Sequence, residues 1–547
     1  MKSAVKSLFL PFVLATTLAH AQTFPTPIQH VIIVVQENRT PDNLFQDPNL
    51  MNNGADISRF SDAVAVPLGS CWDIGHSHGT TTTTGWEREY ADQQSGQGFC
   101  NDKISVNNCK SYPTCAPDTY VENTSQDKTI QPYWDIAGNY SFANYFFQTN
   151  EGPSFPAHQF LLSGTSAPVS FGDPSGLYED FDAENTAGMK AGYDFFDDAG
   201  CIATTSPLAT AEDVNSAGTE GLYYTPPAPI NYPGYPCYEH HTLTDLLENA
   251  KPALSWRWYA YSRPAGIWNA PSAISHICGV NPGGTCPNAD WNDNVDLTDT
   301  DIFLDVNDIN THGRCNLANV SWGIPDGNWS DHPGGMNHGG PDWVTSIVNA
   351  VGNSPCKNSD GSSYWESTAI IITWDDWGGF YDHVPPYEVI VDQPGTFGSG
   401  YVAGFRVPLL VVSAYSPKKG YISGPCVPST DGINNGDVCL NNKPPYWHDA
   451  GSILNFTEYV MGLPQGGISQ TPSWNYDDFW APDYWANGSC GRNQQLCPFG
   501  LSDFFNFKQS PNSFTNIAPI TYQPSDFVGL SGFGGPSNTQ DPDLETE

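Results

Sequence analysis

Basic residues are scarce in this 547-residue chain: 20 Lys and Arg stand against 59 Asp and Glu, for a net charge of −39 from a charged fraction of only 14%. That argues against a nucleic-acid partner, because phosphate polymers are bound through a basic surface. Strongly anionic membranes are disfavoured for the same reason. No CxxC occurs among the cysteines and no HExxH or similar zinc-binding spacing is present, so any metal site must be assembled from distant segments. Beyond the N-terminus the chain has no apolar run of the roughly 20 residues that a membrane span requires, and it has no internal repeat.

Hydrophobic residues make up 39% of the chain and aromatics 13%, with 17 Trp, 26 Tyr and 28 Phe. That is enough for large buried cores and rules out disorder as a description of the whole. Residues 1–21 combine Lys2 and Lys6, an apolar run from Leu8 to Leu18 and Ala19-His20-Ala21, the pattern of a secretory signal peptide cut after Ala21. Cleavage would remove both lysines and take the net charge from −39 to −41. All 14 cysteines lie beyond that point. Their even number and export predict disulfides, with Cys278/Cys286, Cys426/Cys439 and Cys490/Cys497 as local pairs.

Three short apolar runs, His30–Gln36, Thr368–Trp374 and Val407–Ser413, suit buried parallel strands. Helical patterns cover Phe155–Ser163, Thr242–Ala250, Pro341–Val351 and Gly451–Met461. Strands alternating with helices predict an α/β fold with a mostly parallel sheet flanked by helices. Residues 50–135, 165–240, 260–320 and 420–445 carry most of the cysteines and read as surface insertions or a cap. The main domain is expected over 22–530, with 531–547 as a disordered tail.

Ligands collect at the carboxyl ends of strands in such sheets, so the residues there matter most. His30–Gln36 is followed by Glu37-Asn38, two hard oxygen donors for a divalent cation or a polar turn capping the next helix. Thr368–Trp374 is followed by Asp375-Asp376, which repel each other unless a cation lies between them; a solvated acidic turn is the plainer alternative. Ser154, entering a helix, is either an N-cap or a nucleophile beside free backbone N–H groups. Histidines cluster as His76 and His78, His240 and His241, and His332 and His338.

Together and in order, these pieces resemble a known family. Glu37–Phe45 (ENRTPDNLF) is similar to the ENRSFDHYFG signature of the bacterial phosphoesterases that include phospholipases C and acid phosphatases, within the alkaline-phosphatase superfamily. The resemblance continues through residues 134–147, 151–164, 254–260, 321–333, 372–386 and 404–417. It implies an alkaline-phosphatase-like fold and a phosphoric ester hydrolase with Ser154 as nucleophile and metal ligand, and Glu37, Asn38, Asp375 and Asp376 as further metal ligands. It further implies phosphate-binding or acid/base roles for His76, His332 and His338, while His383 would orient its turn or touch substrate. The cation would be Mg, Ca, Mn or Zn, and the substrate a small or zwitterionic phosphoester. Ala157 departs from the Asn that the family often has beside the nucleophile. A non-catalytic secreted binding protein on the same scaffold is the alternative, and location is expected to be periplasmic or extracellular.

Overall fold

The computed structural model describes residues 23–59, 63–69, 119–149, 154–164, 200–203, 241–260, 266–306, 314–333, 339–384, 404–424, 448–468 and 500–522, interrupted at 328 and 465, with a few isolated residues and short strands besides. The expected signal segment, His76, His78, His240, His338 and the tail from 531 lie outside the described residues.

In chain order the elements that frame the site are β1 (His30–Gln36), α1 (Pro41–Leu44), α2 (Gln131–Asn139), β2 (Ser141–Ala143), α3 (Ser154–Ser163), β3 (Trp256–Tyr259), β4 (Val295–Asp296), β5 (Val320–Gly323), α4 (Gly340–Gly352), β6 (Thr368–Trp374), β7 (Leu409–Ser413), β8 (Tyr421–Ser423) and α5 (Ala450–Met461). The eight strands form one sheet in the order β8-β2-β7-β6-β1-β5-β3-β4. Every residue of β1 and β6 is buried, which is why both read as unbroken apolar runs: with both faces covered, alternation has no physical cause. The flanking helices also follow their local signals. α5 starts at Asp449, whose carboxylate accepts from the Ser452 N–H, and stops at Gly462, which has φ +69°.

The sheet is mixed, which corrects the expectation for the run ending at Ser413. β7 runs antiparallel to both β6 and β2, whereas β1 is parallel to β6 and β5. Thr373, next to the last residue of β6, pairs with Leu409, the first of β7. The chain therefore re-enters the sheet at the edge from which it left, and β7 runs back against β6.

The segment 260–320 is not only surface insertion. Ile267, Trp268, Ile274, Ile277, Phe303 and Val306 are buried in the same core cluster as β1 and β6, because apolar residues spaced among its Asn and Gly turns point inward. No cap is recognisable among the described residues. Cys278–Cys286 is bridged as its spacing suggested, and Cys201–Cys237 and Cys315–Cys356 are bridged as well. Cys426 lies opposite Cys439 across a short antiparallel ladder; Cys490 and Cys497 lie outside the described residues. Among the described residues no helix is long and apolar enough to cross a membrane.

Candidate active site

The β1/β6 register builds the site. Pairing runs from His30 opposite Thr368 to Gln36 opposite Trp374, so Glu37-Asn38 and Asp375-Asp376 leave the sheet side by side at its carboxyl edge. Their loops are then locked together. The Asp375 N–H donates to the Gln36 carbonyl (2.9 Å) and the Arg39 N–H to the Asp376 carbonyl (3.1 Å), while the Asn38 N–H donates to Asp375 Oδ1 at 3.0 Å. Asn38 adopts φ +55°, a left-handed conformation that Asn tolerates better than most residues.

Gly378 closes the second loop. Its φ is +62°, its N–H donates to Asp376 Oδ1 at 2.7 Å, and a Cβ there would come within 2.7 Å of the Asn38 carbonyl oxygen and Cβ. Backbone cannot yield as a flexible side chain can. Gly378→Ala is therefore expected to cost about 1–3 kcal/mol of stability and to weaken cation binding by displacing Asp376; denaturant unfolding and metal titration of the variant check both.

α3 brings the third side. Ser154 is its first residue and is fully buried. Its hydroxyl lies 3.0 Å from Asp376 Oδ2 and 3.2 Å from Glu37 Oε2, so it faces the carboxylates across the site. One turn further on, His158 places Nε2 at 3.0 Å from Glu37 Oε1 and 3.7 Å from Asp375 Oδ2. Burial pushes the His158 imidazole down to about 4, against the pull of Asp375, so at neutral pH it is uncharged and one ring nitrogen offers a lone pair. Sequence reading passed over His158, although its i, i+4 spacing from Ser154 puts both on one helix face.

Three buried carboxylates facing one hydroxyl and a neutral imidazole repel one another unless a cation joins them. Glu37, His158 and Asp375 present ligand atoms all within 4.8 Å of one another, and Asp375 Oδ2 has no hydrogen-bond partner among the described residues. The donor set fits a divalent cation of unspecified identity.

Arg39 ties neighbouring loops to this centre. It is fully buried, donates through Nε (3.1 Å) and Nη2 (2.6 Å) to the Asp331 carbonyl and through Nη2 to the Leu68 carbonyl (2.8 Å), and stacks over Phe380 at 4.7 Å. The Asp331 N–H and the Trp329 carbonyl in turn hold the Gln36 amide, at 2.9 and 2.8 Å. His332 thus sits on a loop fastened to Gln36 and Arg39, which flank Glu37-Asn38 in the chain. It is buried, its Nδ1 lies 3.0 Å from the Pro333 carbonyl, and its ring lies 6.0 Å from Trp268. Burial pushes the neighbouring Asp331 carboxyl up to about 6, despite hydrogen bonds from Tyr133 and Trp374 and the charge of Arg39. Ala157 is buried in a small pocket behind Asp375, shared with Gln148, Thr149 and Phe160.

A second candidate triad, Asp42, Asp382 and His383, lies further along the same two loops. Here a cation is already supplied. Arg406 spans Asp382 with Nε at 2.8 Å and Nη2 at 3.0 Å, reaches Asp42 Oδ1 at 3.3 Å, and is fully buried. His383 bridges Asp42 (2.7 Å) and Asp56 (3.1 Å). Burial lowers its affinity for a proton, but those two carboxylates outweigh it and raise the imidazole to about 9. Through these contacts the His383 ring ties the turn that carries Asp382 to Asp42 and Asp56.

A family model described as the Phosphoesterase family matches residues 28–464. Among curated proteins, a non-hemolytic phospholipase C of Pseudomonas aeruginosa is 22% identical over 541 residues, covering 92% of this chain and 60% of that protein. A hemolytic phospholipase C of the same organism is 23% identical, covering 81% and 54%. Phospholipase C A of Mycobacterium tuberculosis is 34% identical over 116 residues, 18% of this chain and 21% of that protein. The chain thus spans between about a fifth and three fifths of the length of these relatives.

Proposed function

The chain belongs to the Phosphoesterase family, and from that premise we propose that it is an exported, metal-dependent phosphoric ester hydrolase with Ser154 as nucleophile. The observation that carries this is the convergence of the Ser154 hydroxyl with Glu37, Asp375, Asp376 and His158 in one buried cluster at the carboxyl edge of the sheet. An alkaline-phosphatase-like fold is part of the same reading, on the strength of the motif resemblance.

In this reading Glu37, Asn38, Asp375 and Asp376 would hold the cation, and His158 would add a nitrogen donor. A bound divalent ion would lower the pKa of the serine hydroxyl and offset charge on the phosphoryl oxygens. Ser154 Oγ attacks phosphorus in line as its proton passes to a neighbouring carboxylate; the P–O bond to the alcohol breaks and the alcohol leaves with a proton from the site. Water then attacks the phosphoserine, restoring the hydroxyl and releasing phosphate or phosphomonoester. His332 is suited to clamp a phosphoryl oxygen or move a proton, and His76 and His338 carry the same assignment by motif.

The substrate is a small or zwitterionic phosphoester, since a chain of −39 opposes the approach of highly anionic ones. The phospholipase C names of its relatives favour a zwitterionic diester. A panel comparing a chromogenic phosphomonoester, a phosphocholine diester and phosphatidylcholine vesicles tests this, with turnover expected on at least one and highest on the diesters. Hydrolysis of none of them, by protein shown to contain metal, overturns the reading. Removing the cation with a chelator should abolish turnover. It should also lower unfolding free energy by about 3 kcal/mol relative to protein held at a hundredfold excess of ion over its dissociation constant, which calorimetry measures without reference to activity.

A further inference from the structure

Residues 500–527 lie beyond the stretch matched by the family model, 28–464, yet their described part is bound into the core, with Leu501, Phe504, Ile517 and Phe527 buried. We propose that this segment is a positioning strap for the loop Trp329–His332, holding it against the metal-ligand loop. The strap depends on the hydrolase reading only for its effect on turnover; the attachment itself is independent of that reading.

The strap crosses the fold without joining the sheet. Two main-chain bonds tie it to the residues after β7, from the Asn506 N–H to the Tyr415 carbonyl (2.8 Å) and from the Asn512 N–H to the Ala414 carbonyl (2.7 Å), and side chains hold the rest: Trp365 Nε1 donates to the Asn512 carbonyl (2.7 Å), and Asn349 both donates to the Ile517 carbonyl (2.7 Å) and accepts from the Ile517 N–H (3.0 Å). The tightest grip comes from Asp342 in the first turn of α4. Its carboxylate accepts three successive backbone N–H groups, from Ile520 (2.8 Å), Thr521 (2.6 Å) and Tyr522 (2.8 Å). Charge-assisted bonds of this kind are about twice as strong as neutral ones.

That grip fixes the backbone that carries Tyr522. Tyr522 and Phe527 pack edge-on against Trp329, at 5.1 and 4.9 Å between centroids, and Phe527 stacks on Phe303 at 5.2 Å. Trp329 opens the loop whose carbonyl and amide groups fasten Gln36 and Arg39. The start of α4 presses on the same loop from the other side: a Cβ on Gly340 would lie 2.2 Å from Asp331 Oδ1. His332 is therefore clamped between the sheet edge, α4 and the strap, and the strap is the part of the clamp that the family-matched stretch does not supply.

The test uses the full chain with two sets of substitutions that touch only the strap. Tyr522→Ala/Phe527→Ala removes the rings from Trp329. Ile520→Pro/Thr521→Pro removes two of the N–H groups that Asp342 accepts. In both, amide hydrogen exchange at residues 329–332 should accelerate at least tenfold while metal content per chain is unchanged. For turnover, kcat should fall by about tenfold to a hundredfold, as expected of a misplaced site group, with a smaller change in KM and an altered pH profile of kcat. Exchange at 329–332 that keeps the parent rate in both variants overturns the strap. Accelerated exchange with unaltered kcat overturns its role in turnover. If Ser154→Ala remains active, the failure belongs to the hydrolase reading, and the exchange result still decides the strap.

Discussion

Ser154→Ala is expected to lower kcat by at least about a thousandfold while leaving the fold intact. The substitution deletes a single oxygen from a fully buried position. It opens no large cavity, but it removes the atom that would carry the phosphoryl group. A loss of that size corresponds to about 4 kcal/mol of transition-state stabilisation, and removal of a covalent nucleophile commonly exceeds it. The structural cost is smaller: Asp376 and Glu37 lose one hydroxyl, 3.0 and 3.2 Å away, worth about 1–3 kcal/mol if nothing replaces it. Circular dichroism, metal content and single-turnover kinetics on the same preparation separate the two effects. A variant that keeps its metal and full activity would remove Ser154 from the chemistry and leave it as a buried polar residue.

The second large effect is on stability. Arg406→Met should destabilise the protein by about 3–5 kcal/mol, the cost of leaving buried carboxylates without their cation. Asp382 and Asp42 are almost wholly buried, and Arg406 is the guanidinium between them. The loss should depend on pH. Burial lifts the Asp382 carboxyl to about 6 even with Arg406 beside it. A group whose folded value lies above its unfolded one favours the fold at low pH, so the Asp382 contribution is greatest below about 4 and fades as pH rises through 6. Without the guanidinium the carboxyl rises further. The difference between variant and parent should then be small in acid and grow above pH 6. His383, raised to about 9, adds stability that is complete below its ordinary value near 6.5 and is lost as pH climbs through 9, about 3 kcal/mol in all. Urea unfolding of parent, Arg406→Met and His383→Gln across pH 5–9 measures both. A stability difference for Arg406→Met that stays flat across that range would show that Asp382 does not titrate as described.

Much of the framework was readable from local pattern. Buried strands betray themselves as apolar runs and helices as periodic ones, so β1, β6, α3, α4 and α5 fall within a residue or two of their expected bounds. Glu37 and Asp375-Asp376 were legible because each follows a strand at the edge where ligands gather, and family resemblance joined Ser154 to them. His158 was missed because a histidine within an apolar helix is ordinarily core. Asp42, Asp382 and Arg406 were missed because each makes sense only against partners far along the chain, 364 residues away in the case of Asp42 and Arg406. The same blindness applied to β7, whose composition suits either direction, and to the strap, whose bonds run to scattered side chains and to the backbone after β7.

Side-chain character along the chain thus settled which segments are buried, which are helical, and which acids stand at the ends of strands, because burial and helix periodicity are set within about ten residues. The candidate active cluster itself required the fold. Register between β1 and β6 puts Gln36 beside Trp374, and from that single alignment Glu37 and Asp375 emerge together, with α3 carrying Ser154 and His158 across them. The scarce positive charge has a corresponding resolution. Arg39 and Arg406, two of only 20 basic residues, both lie in the interior, one fastening loops around the cation site and the other neutralising the acids behind it. No count of charges could distinguish those two from the rest, since what makes a buried guanidinium decisive is the low dielectric around it and the carboxylates and carbonyls that folding brings to its side.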